Sequence, residues 1–295
     1  MTTLSELSQL AARLVDRAPE TMVSGMRIRR VDAPGAPMRH IGESAFGLLL
    51  QGRKRTVAAG QAFDYGPGDC LLMSLSMPLT GQVTQASPDA PYLALAWPLD
   101  PAAVAALVLE AGQGAIGGPA FNTSAALSVH AAPQALLDAA GRLLALAEQP
   151  DDAVVMRPLL EKELLWRLLR SPYGPMLRQV GLADSRLAQV SRAIHWLRGH
   201  YAEPVRIEHL ETVSGMSAAT LFRHFKAFTS LSPLQYQKHI RLHEAHTRLA
   251  AGARDVAQVA YGVGYESPSQ FTREYARLFG HPPREDMPGP RARAA

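Results

Sequence analysis

Two ten-residue segments decide the fold of the C-terminal part of this 295-residue chain: SAATLFRHFK at 217–226 and SPSQFTREYA at 267–276. A shift of fifty positions places serine on serine, Leu221 on Phe271 and Arg223 on Arg273. A repeat with the same cap, the same apolar spacing and the same basic residue indicates two copies of one helical module. Two equivalent basic helix faces suggest DNA as the partner.

Each copy extends backward through a turn into a shorter helical segment. Residues 207–213 lead through Gly215 into a helix predicted over 217–228, and residues 256–263 lead through Gly264 into one over 267–279. A short helix, a glycine-containing turn and a second helix form a helix-turn-helix unit, whose second helix enters the major groove. The segment 233–251 predicts one connecting helix about 28 Å long. That length can hold two recognition helices near the roughly 34 Å repeat of DNA.

The N-terminal part has a different pattern. Short apolar segments alternate with Gly/Pro turns from Met22 to Asp100, which is typical of a β-sandwich or small barrel. We therefore predict an α+β chain with a cupin-like β-barrel or jelly roll over about 22–100 and helices over 101–171. Together these make a sensor or dimerisation domain at 1–175, followed by an all-α DNA-binding domain at 176–286 and a disordered tail at 287–295. The leucine stripes of the helices predicted over 133–148 and 153–169 pack on the β-domain or form a dimer seam.

Composition narrows the class of protein. Hydrophobic residues make up 47% of the chain and charged residues 19%, as in ordinary globular proteins. One cysteine, Cys70, rules out an internal disulfide and fits a reducing compartment. We see no secretory signal or membrane-length apolar run, so we expect a cytoplasmic protein without a membrane partner. From Asp184 onward, 15 Lys/Arg against 10 Asp/Glu give a basic excess that is compatible with phosphate binding.

The β-region resembles a cupin hairpin over 60–72, but it lacks the chemistry of a cupin enzyme. Only His40 precedes this hairpin and no histidine lies within it, which is too few for a metal site of three or four ligands. We therefore predict no catalytic residue, no metal and no cofactor. A pocket for an organic ligand is compatible with a small barrel, with Tyr65, Cys70 and Trp97 as candidate lining residues. Two alternatives are a thiol- or electrophile-sensing regulator acting through Cys70 and, less favoured by the residues, a cupin-type enzyme.

The segment AQVAYGVGYESPSQFTREYARLFGHPP at 257–283 resembles the signature of AraC/XylS-type transcription regulators. The segments QGRK at 51–54, SMPLTGQV at 76–83 and PYLAL at 91–95 resemble the N-terminal sensor of one subgroup of that family. The resemblance implies a bacterial regulator with an effector or dimerisation domain and two helix-turn-helix units. Its implied partners are double-stranded DNA, RNA polymerase, a small-molecule effector and a second copy of the chain.

The resemblance also implies roles for single residues. By motif position, the base-reading residues are Ala219, Phe222 and Arg223 in the first unit and Pro268, Ser269, Gln270 and Arg273 in the second. Phe222 stands where a polar reader is usual, so it touches a thymine methyl or packs inward, and Pro268 has no side-chain donor. Each arginine can bond guanine in bidentate fashion, which is worth about 1–3 kcal/mol of discrimination. Lys226, Arg241 and Arg277 contact phosphates or only water.

Overall fold

The fold is described from a computed structural model that covers residues 1–15, 20–23, 25–115, 126–182 and 184–287. Contacts divide the chain into two compact units, one of Met1–Met38 with Gly42–Ala188 and one of Arg39–Ile41 with Gln189–Ala295. The proposed domain boundary at residue 175 stays a prediction. The tail predicted to be disordered lies, from residue 288 on, outside the described residues.

The strands of the first unit form two antiparallel sheets. One sheet has the order β1-β2-β9-β4-β7-β10 and the other β3-β8-β5-β6. The strands are β1 (Glu20–Val23), β2 (Met26–Val31), β3 (Met38–Gly42), β4 (Ala45–Gln51), β5 (Arg53–Ala58), β6 (Gln61–Tyr65), β7 (Asp69–Met73), β8 (Met77–Gln85), β9 (Tyr92–Pro98) and β10 (Leu127–Ala131). The predicted α+β class is confirmed. The β-domain is a sandwich rather than a closed barrel, because no described strand of one sheet pairs with a strand of the other.

Helices cover one face of the six-stranded sheet. They are α1 (Leu4–Val15), α2 (Pro101–Ala115), α3 (Gln134–Ala145), α4 (Pro150–Leu169) and α5 (Gly174–Gly181). Helix α1 begins at a capping box, in which Thr3 N–H donates to Glu6 at 2.7 Å and Glu6 N–H donates to the Thr3 hydroxyl at 3.2 Å.

The leucine stripes of α3 and α4 both lie in the core of this unit, beside the inward side chains of the sheet. Leu143 and Leu144 of α3 and Leu164 and Leu168 of α4 are each 0% exposed. The alternative that one of these stripes forms a dimer seam is therefore wrong, because burial in the core of the first unit already covers both of them.

The second unit consists of short helices around one longer helix. They are α6 (Arg186–Gly199), α7 (Ile207–Ser214), α8 (Ala218–Thr229), α9 (Pro233–Ala250), α10 (Val256–Gly262), α11 (Pro268–Phe279) and a single 3₁₀ turn, Pro283–Asp286. Helix α9 begins at Ser232, whose hydroxyl and backbone N–H exchange hydrogen bonds with Gln235. In the part of the chain that the structure describes, no helix is long and apolar enough to cross a membrane.

Candidate nucleic-acid interface

Both helix-turn-helix units depend on a glycine with a left-handed backbone. Gly215 ends α7 with φ of 69°, and Gly264 follows α10 with φ of 93°. A side chain at Gly264 would overlap the carbonyl group of Ala202, whereas at Gly215 the nearest atom to an added Cβ is 3.8 Å away. The second turn therefore requires glycine for space as well as for conformation.

The two recognition helices, α8 and α11, begin differently, although the sequence predicts the same serine cap for both. The Ser267 hydroxyl accepts a hydrogen bond from Gln270 N–H at 3.3 Å. The Ser217 hydroxyl instead donates to Thr220 at 3.1 Å, and the carboxylate of Glu211 accepts from Ala218 N–H at 2.5 Å. Ser217 occupies the N-cap position of α8, as predicted, but its side chain accepts no capping hydrogen bond, because the carboxylate of Glu211 reaches this helix end from α7. Its negative charge lowers the attraction of that end for phosphate.

Helix α8 presents its predicted readers on one side. Leu221 and Phe225, on the opposite side, are fully buried. Phe222 is half-buried, so it contributes to the edge of the core and to the surface at once. The exposed residues share one helical face by their spacing of three or four positions; they are Ala219, Arg223 and Lys226.

Helix α11 repeats this division. Phe271 and Tyr275 are 0% exposed, and Pro268 at the first helical position is half-buried. Gln270 donates its side-chain amide to Glu274 at 3.3 Å. The remaining predicted residues are exposed; they are Ser269, Gln270, Arg273 and Arg277. Within the described part of the chain, no carboxylate forms an ion pair with an arginine or lysine of either exposed face.

A cleft of about 1190 Å³ lies beside α11, between the beginnings of α10 and α11 and the 3₁₀ turn. Ser269 and Arg273 line it together with two exposed arginines that sequence reasoning missed, Arg254 and Arg284. The signal for Arg254 was present in the sequence, since it precedes Asp255, the residue whose carboxylate caps α10. The cleft thus collects three guanidinium groups at the exposed side of the second unit.

Arg241 is half-buried, and its guanidinium is bonded within the second unit. Its guanidinium donates to the carbonyl oxygens of Tyr201 at 2.6 Å, Gly264 at 2.7 Å and Glu203 at 3.0 Å. Burial lowers the pKa of Arg241. The interpretation of Arg241 as a phosphate contact is therefore wrong, because its donors already join α9 to the 201–203 loop and to the second turn.

Helix α9 also holds α11 directly. Lys238 of α9 pairs with Glu274 at 2.9 Å, and the same carboxylate accepts from the Tyr265 hydroxyl at 2.8 Å. Burial acts to raise the pKa of Glu274, but the hydrogen bonds from Lys238 and Tyr265 outweigh it and lower that pKa. The half-buried carboxylate of Glu274 therefore fixes the orientation of the second recognition helix against α9.

The candidate ligand residues of the first unit do not share one site. Tyr65 lies between the two sheets, 6% exposed, with its hydroxyl 3.0 Å from Thr56. Cys70 and Trp97 lie on the opposite face of the six-stranded sheet, in the core under the helices. Cys70 is 0% exposed and burial raises the pKa of its thiol. This environment argues against the thiol-sensing alternative, because thiolate chemistry needs an accessible, ionised sulfur.

Tyr173, the residue before α5, closes the core over Cys70. Its hydroxyl donates to the Cys70 carbonyl at 2.5 Å and accepts from His130 N–H at 3.0 Å. Among the described residues, no group of three or more His, Cys, Asp or Glu side chains is placed to hold a metal ion.

Comparison with known proteins agrees with this architecture. The family described as AraC-type transcriptional regulator N-terminus matches residues 22–176, more than half of the chain. The chain belongs to the AraC-type transcriptional regulators. A second family, described as helix-turn-helix domain, matches residues 210–287 and so covers both helix-turn-helix units of this AraC-type chain.

Proteins similar to this AraC-type chain include the HTH-type transcriptional activator RhaS of Salmonella agona and that of Enterobacter sp., each 28% identical over 159 residues, 53% of this chain and 56% of the relative. The chain spans about half the length of these curated relatives. Apo ToxT from Vibrio cholerae has a similar fold, with a TM-score of 0.57 at 10% identity, covering 88% of this chain and 96% of ToxT. ToxT bound to an unsaturated fatty acid gives a TM-score of 0.56 at 10% identity, covering 88% and 93%.

Proposed function

We propose that this regulator binds a specific DNA sequence by inserting α8 and α11 into successive major grooves. The observation that carries this proposal is the pair of exposed helix faces, each with an arginine at the same position of the repeat and with no carboxylate pairing it in the described chain. Arg223 and Arg273 would read guanine, since a guanidinium matches its two major-groove acceptors. Helix α9, with 18 residues, is about 27 Å long and would set the distance between the two readers.

The faces are not equivalent, so we propose that they read different bases. The first offers Ala219 and Phe222 beside its arginine, and Phe222 would contact a thymine methyl group. The second offers the polar Ser269 and Gln270. Lys226 and Arg277 would contact phosphates, joined by the cleft arginines Arg254 and Arg284. These contacts position the protein without reading sequence.

Selection of binding sites from random duplex DNA by the purified protein tests this proposal. Arg223→Ala and Arg273→Ala should each weaken binding to the selected site by about 1–3 kcal/mol and relax the preference at one base pair. Lys226→Ala serves as the control, since it should weaken all sequences alike and reduce the salt dependence by about one ion. Unchanged affinity and base preference in both arginine variants would contradict the assignment.

We also infer that the first unit binds a small-molecule effector that controls DNA binding or transcription. Support comes from the family description of this unit and from ToxT, a protein of similar fold that binds an unsaturated fatty acid. The named activity of the RhaS relatives favours activation, which would require contact with RNA polymerase. Run-off transcription from a selected site, with and without the protein, measures the sign of the effect.

A homodimer and a cytoplasmic location complete the proposal. Large apolar side chains on the outer side of α4 and on α2 are exposed and would suit an interface with a second copy; they are Leu109, Val154, Val155 and Leu159. Sedimentation of the parent and of Leu159→Asp would detect such a dimer. We propose no catalytic activity, since the similar proteins are transcription regulators. We propose a cytoplasmic location because a bacterial regulator must reach DNA in that compartment.

A further inference from the structure

The space between the two sheets of the first unit is incompletely filled. Along β4 and β9, residues that face the helices are fully buried, whereas of the residues that face the second sheet only Leu49 and Tyr92 are buried and most of the others are half-buried. These half-buried positions carry the smallest side chains of the sheet; they are Ala45, Gly47, Ala94 and Ala96. In a tightly packed sandwich the side chains of the two inner faces interdigitate and fill the space between the sheets. The difference indicates a cleft between the sheets.

Gly47 lies on the floor of this cleft. It pairs with Ala96 of β9 and Leu71 of β7. A Cβ added at Gly47 would meet only two carbonyl oxygens of its own sheet, each at 3.7 Å, and no atom of the second sheet within 4 Å. The floor is therefore apolar and open above. Tyr65, Tyr92 and Leu49 form a buried cluster at one side of it, so an apolar ligand body would find aromatic and aliphatic contacts.

A lysine faces this space from the second sheet. Along β5, Arg53 and Arg55 are exposed on the outer face, whereas Lys54 points inward with the buried Thr56. Lys54 pairs with Tyr65 on one side and Val83 on the other, and both of these belong to the cluster between the sheets. Within the described part of the chain, the Lys54 ammonium has no hydrogen bond or ion pair.

A second cation stands at the edge of the same space. Arg29 of β2 lies on the sheet face opposite Ile28, which is buried under the helices, and it pairs with Ala94 of the cleft floor. Burial, with a smaller effect of the Arg29 charge, lowers the pKa of Lys54 to about 8. Arg29 is exposed, so the cost falls on Lys54: a half-buried ammonium with no carboxylate partner in the described chain opposes folding of the apo protein, and a bound anion would remove that cost.

We propose that the cleft between the sheets binds an organic carboxylate with an apolar body, its carboxylate against Lys54 and Arg29 and its body on the Gly47–Ala96 floor. This rests on the proposed function, because it names the chemical class of the effector. The ammonium and guanidinium groups supply charge-assisted hydrogen bonds, and the half-buried alanines supply the apolar contact. Neutral sugars and alcohols would leave both cations uncompensated and bind weakly.

Calorimetric titration of the full-length protein tests the proposal. The probes are straight-chain fatty acids of increasing length and the aryl acids benzoate and naphthoate, each against its primary amide. We expect at least one acid to bind about tenfold or more tightly than its amide. Lys54→Met should remove that difference. Arg55→Met, on the outer face of the same strand, is the matched control and should keep it. Gly47→Val should block the acid by filling the floor.

Titration of the lysine side chains by NMR gives a readout that does not depend on finding the natural effector. The Lys54 resonance should titrate near pH 8 in the free protein and at higher pH with the bound acid. A free-protein midpoint at the ordinary value of 10.5 would mean that the ammonium reaches solvent, and would overturn the proposal. So would a panel in which no acid binds better than its amide. Either result leaves DNA selection by the same protein unaffected, so the two proposals fail separately.

Discussion

Replacement of Arg241 by methionine should loosen the joint between the two helix-turn-helix units. The guanidinium donates to three carbonyl oxygens at 3.0 Å or less. A hydrogen bond to a charged group contributes about 1.5–3 kcal/mol, and the burial of the guanidinium offsets part of the sum. In the methionine variant, water can replace the guanidinium as donor to the carbonyl oxygen of the exposed Glu203, but less readily to that of the half-buried Gly264. We therefore expect a net loss of about 3 kcal/mol in the local stability of the second unit.

Hydrogen exchange of the full-length protein measures this loss. Amides of α10 and α11 that exchange by local opening should do so about a hundredfold faster in Arg241→Met, since 1.4 kcal/mol corresponds to a factor of ten. Arg241→Lys should recover only part of the protection, because an ammonium cannot reproduce the planar fork. Arg206→Met, an exposed arginine before α7, is the control.

The same variants separate the structural role of Arg241 from a phosphate contact. A phosphate contact would lower the salt dependence of DNA binding and leave exchange in the free protein unchanged. If Arg241→Met exchanged like the parent, or if Arg206→Met lost protection equally, the bonds to the 201–203 loop would not hold the joint, and the reasoning would fail.

Three further predictions concern single positions. Gly264→Ala should abolish sequence-specific binding in a mobility-shift assay, whereas Gly215→Ala, which has room for a methyl group, should cost only about 1 kcal/mol of stability. Lys54 has a pKa of about 8 when folded and 10.5 when unfolded, so the unfolded chain binds more protons between these values. The free energy of unfolding should therefore rise with pH across that window, by up to about 3 kcal/mol, in the parent and not in Lys54→Met, as urea titrations would measure. Tyr173→Phe should lower the melting temperature by an amount equivalent to about 1–3 kcal/mol, because it leaves a buried carbonyl and a buried N–H unsatisfied, and an unchanged value would contradict this.

The helical half was predictable because its determinants are local. The spacing of Leu221 and Phe225, the serine before each recognition helix and the glycine in each turn lie within a few residues of the elements that they specify. The role of Arg241 was not predictable, because its three acceptors come from segments 23 to 40 positions away. An arginine on a helix between two DNA-binding units carries no local sign of a partner. The same holds for Glu211, which replaces the expected serine cap.

The β-domain was less well predicted. Strand β10 was missed because it has five residues, stands between helices and pairs with β7, more than fifty positions earlier. The alternation of side chains along each strand could have separated Tyr65 from the other two ligand candidates, because Cys70 and Trp97 lie on the face of the sheet that the helices bury. The inward direction of Lys54 follows from the same alternation. Its lack of a partner does not, because that depends on what the opposite sheet provides.

The burial of Cys70 makes this protein convenient for site-directed labelling. It is the sole cysteine of the sequence, and beneath Tyr173 its sulfur is out of reach of a maleimide. A cysteine introduced at exposed positions such as Ala227 on α8 or Glu285 in the 3₁₀ turn would therefore be modified alone, without first removing the native one. A donor and acceptor dye at these two positions would turn the distance between the first recognition helix and the 3₁₀ turn after the second into a fluorescence signal, measured on a protein that keeps its native cysteine.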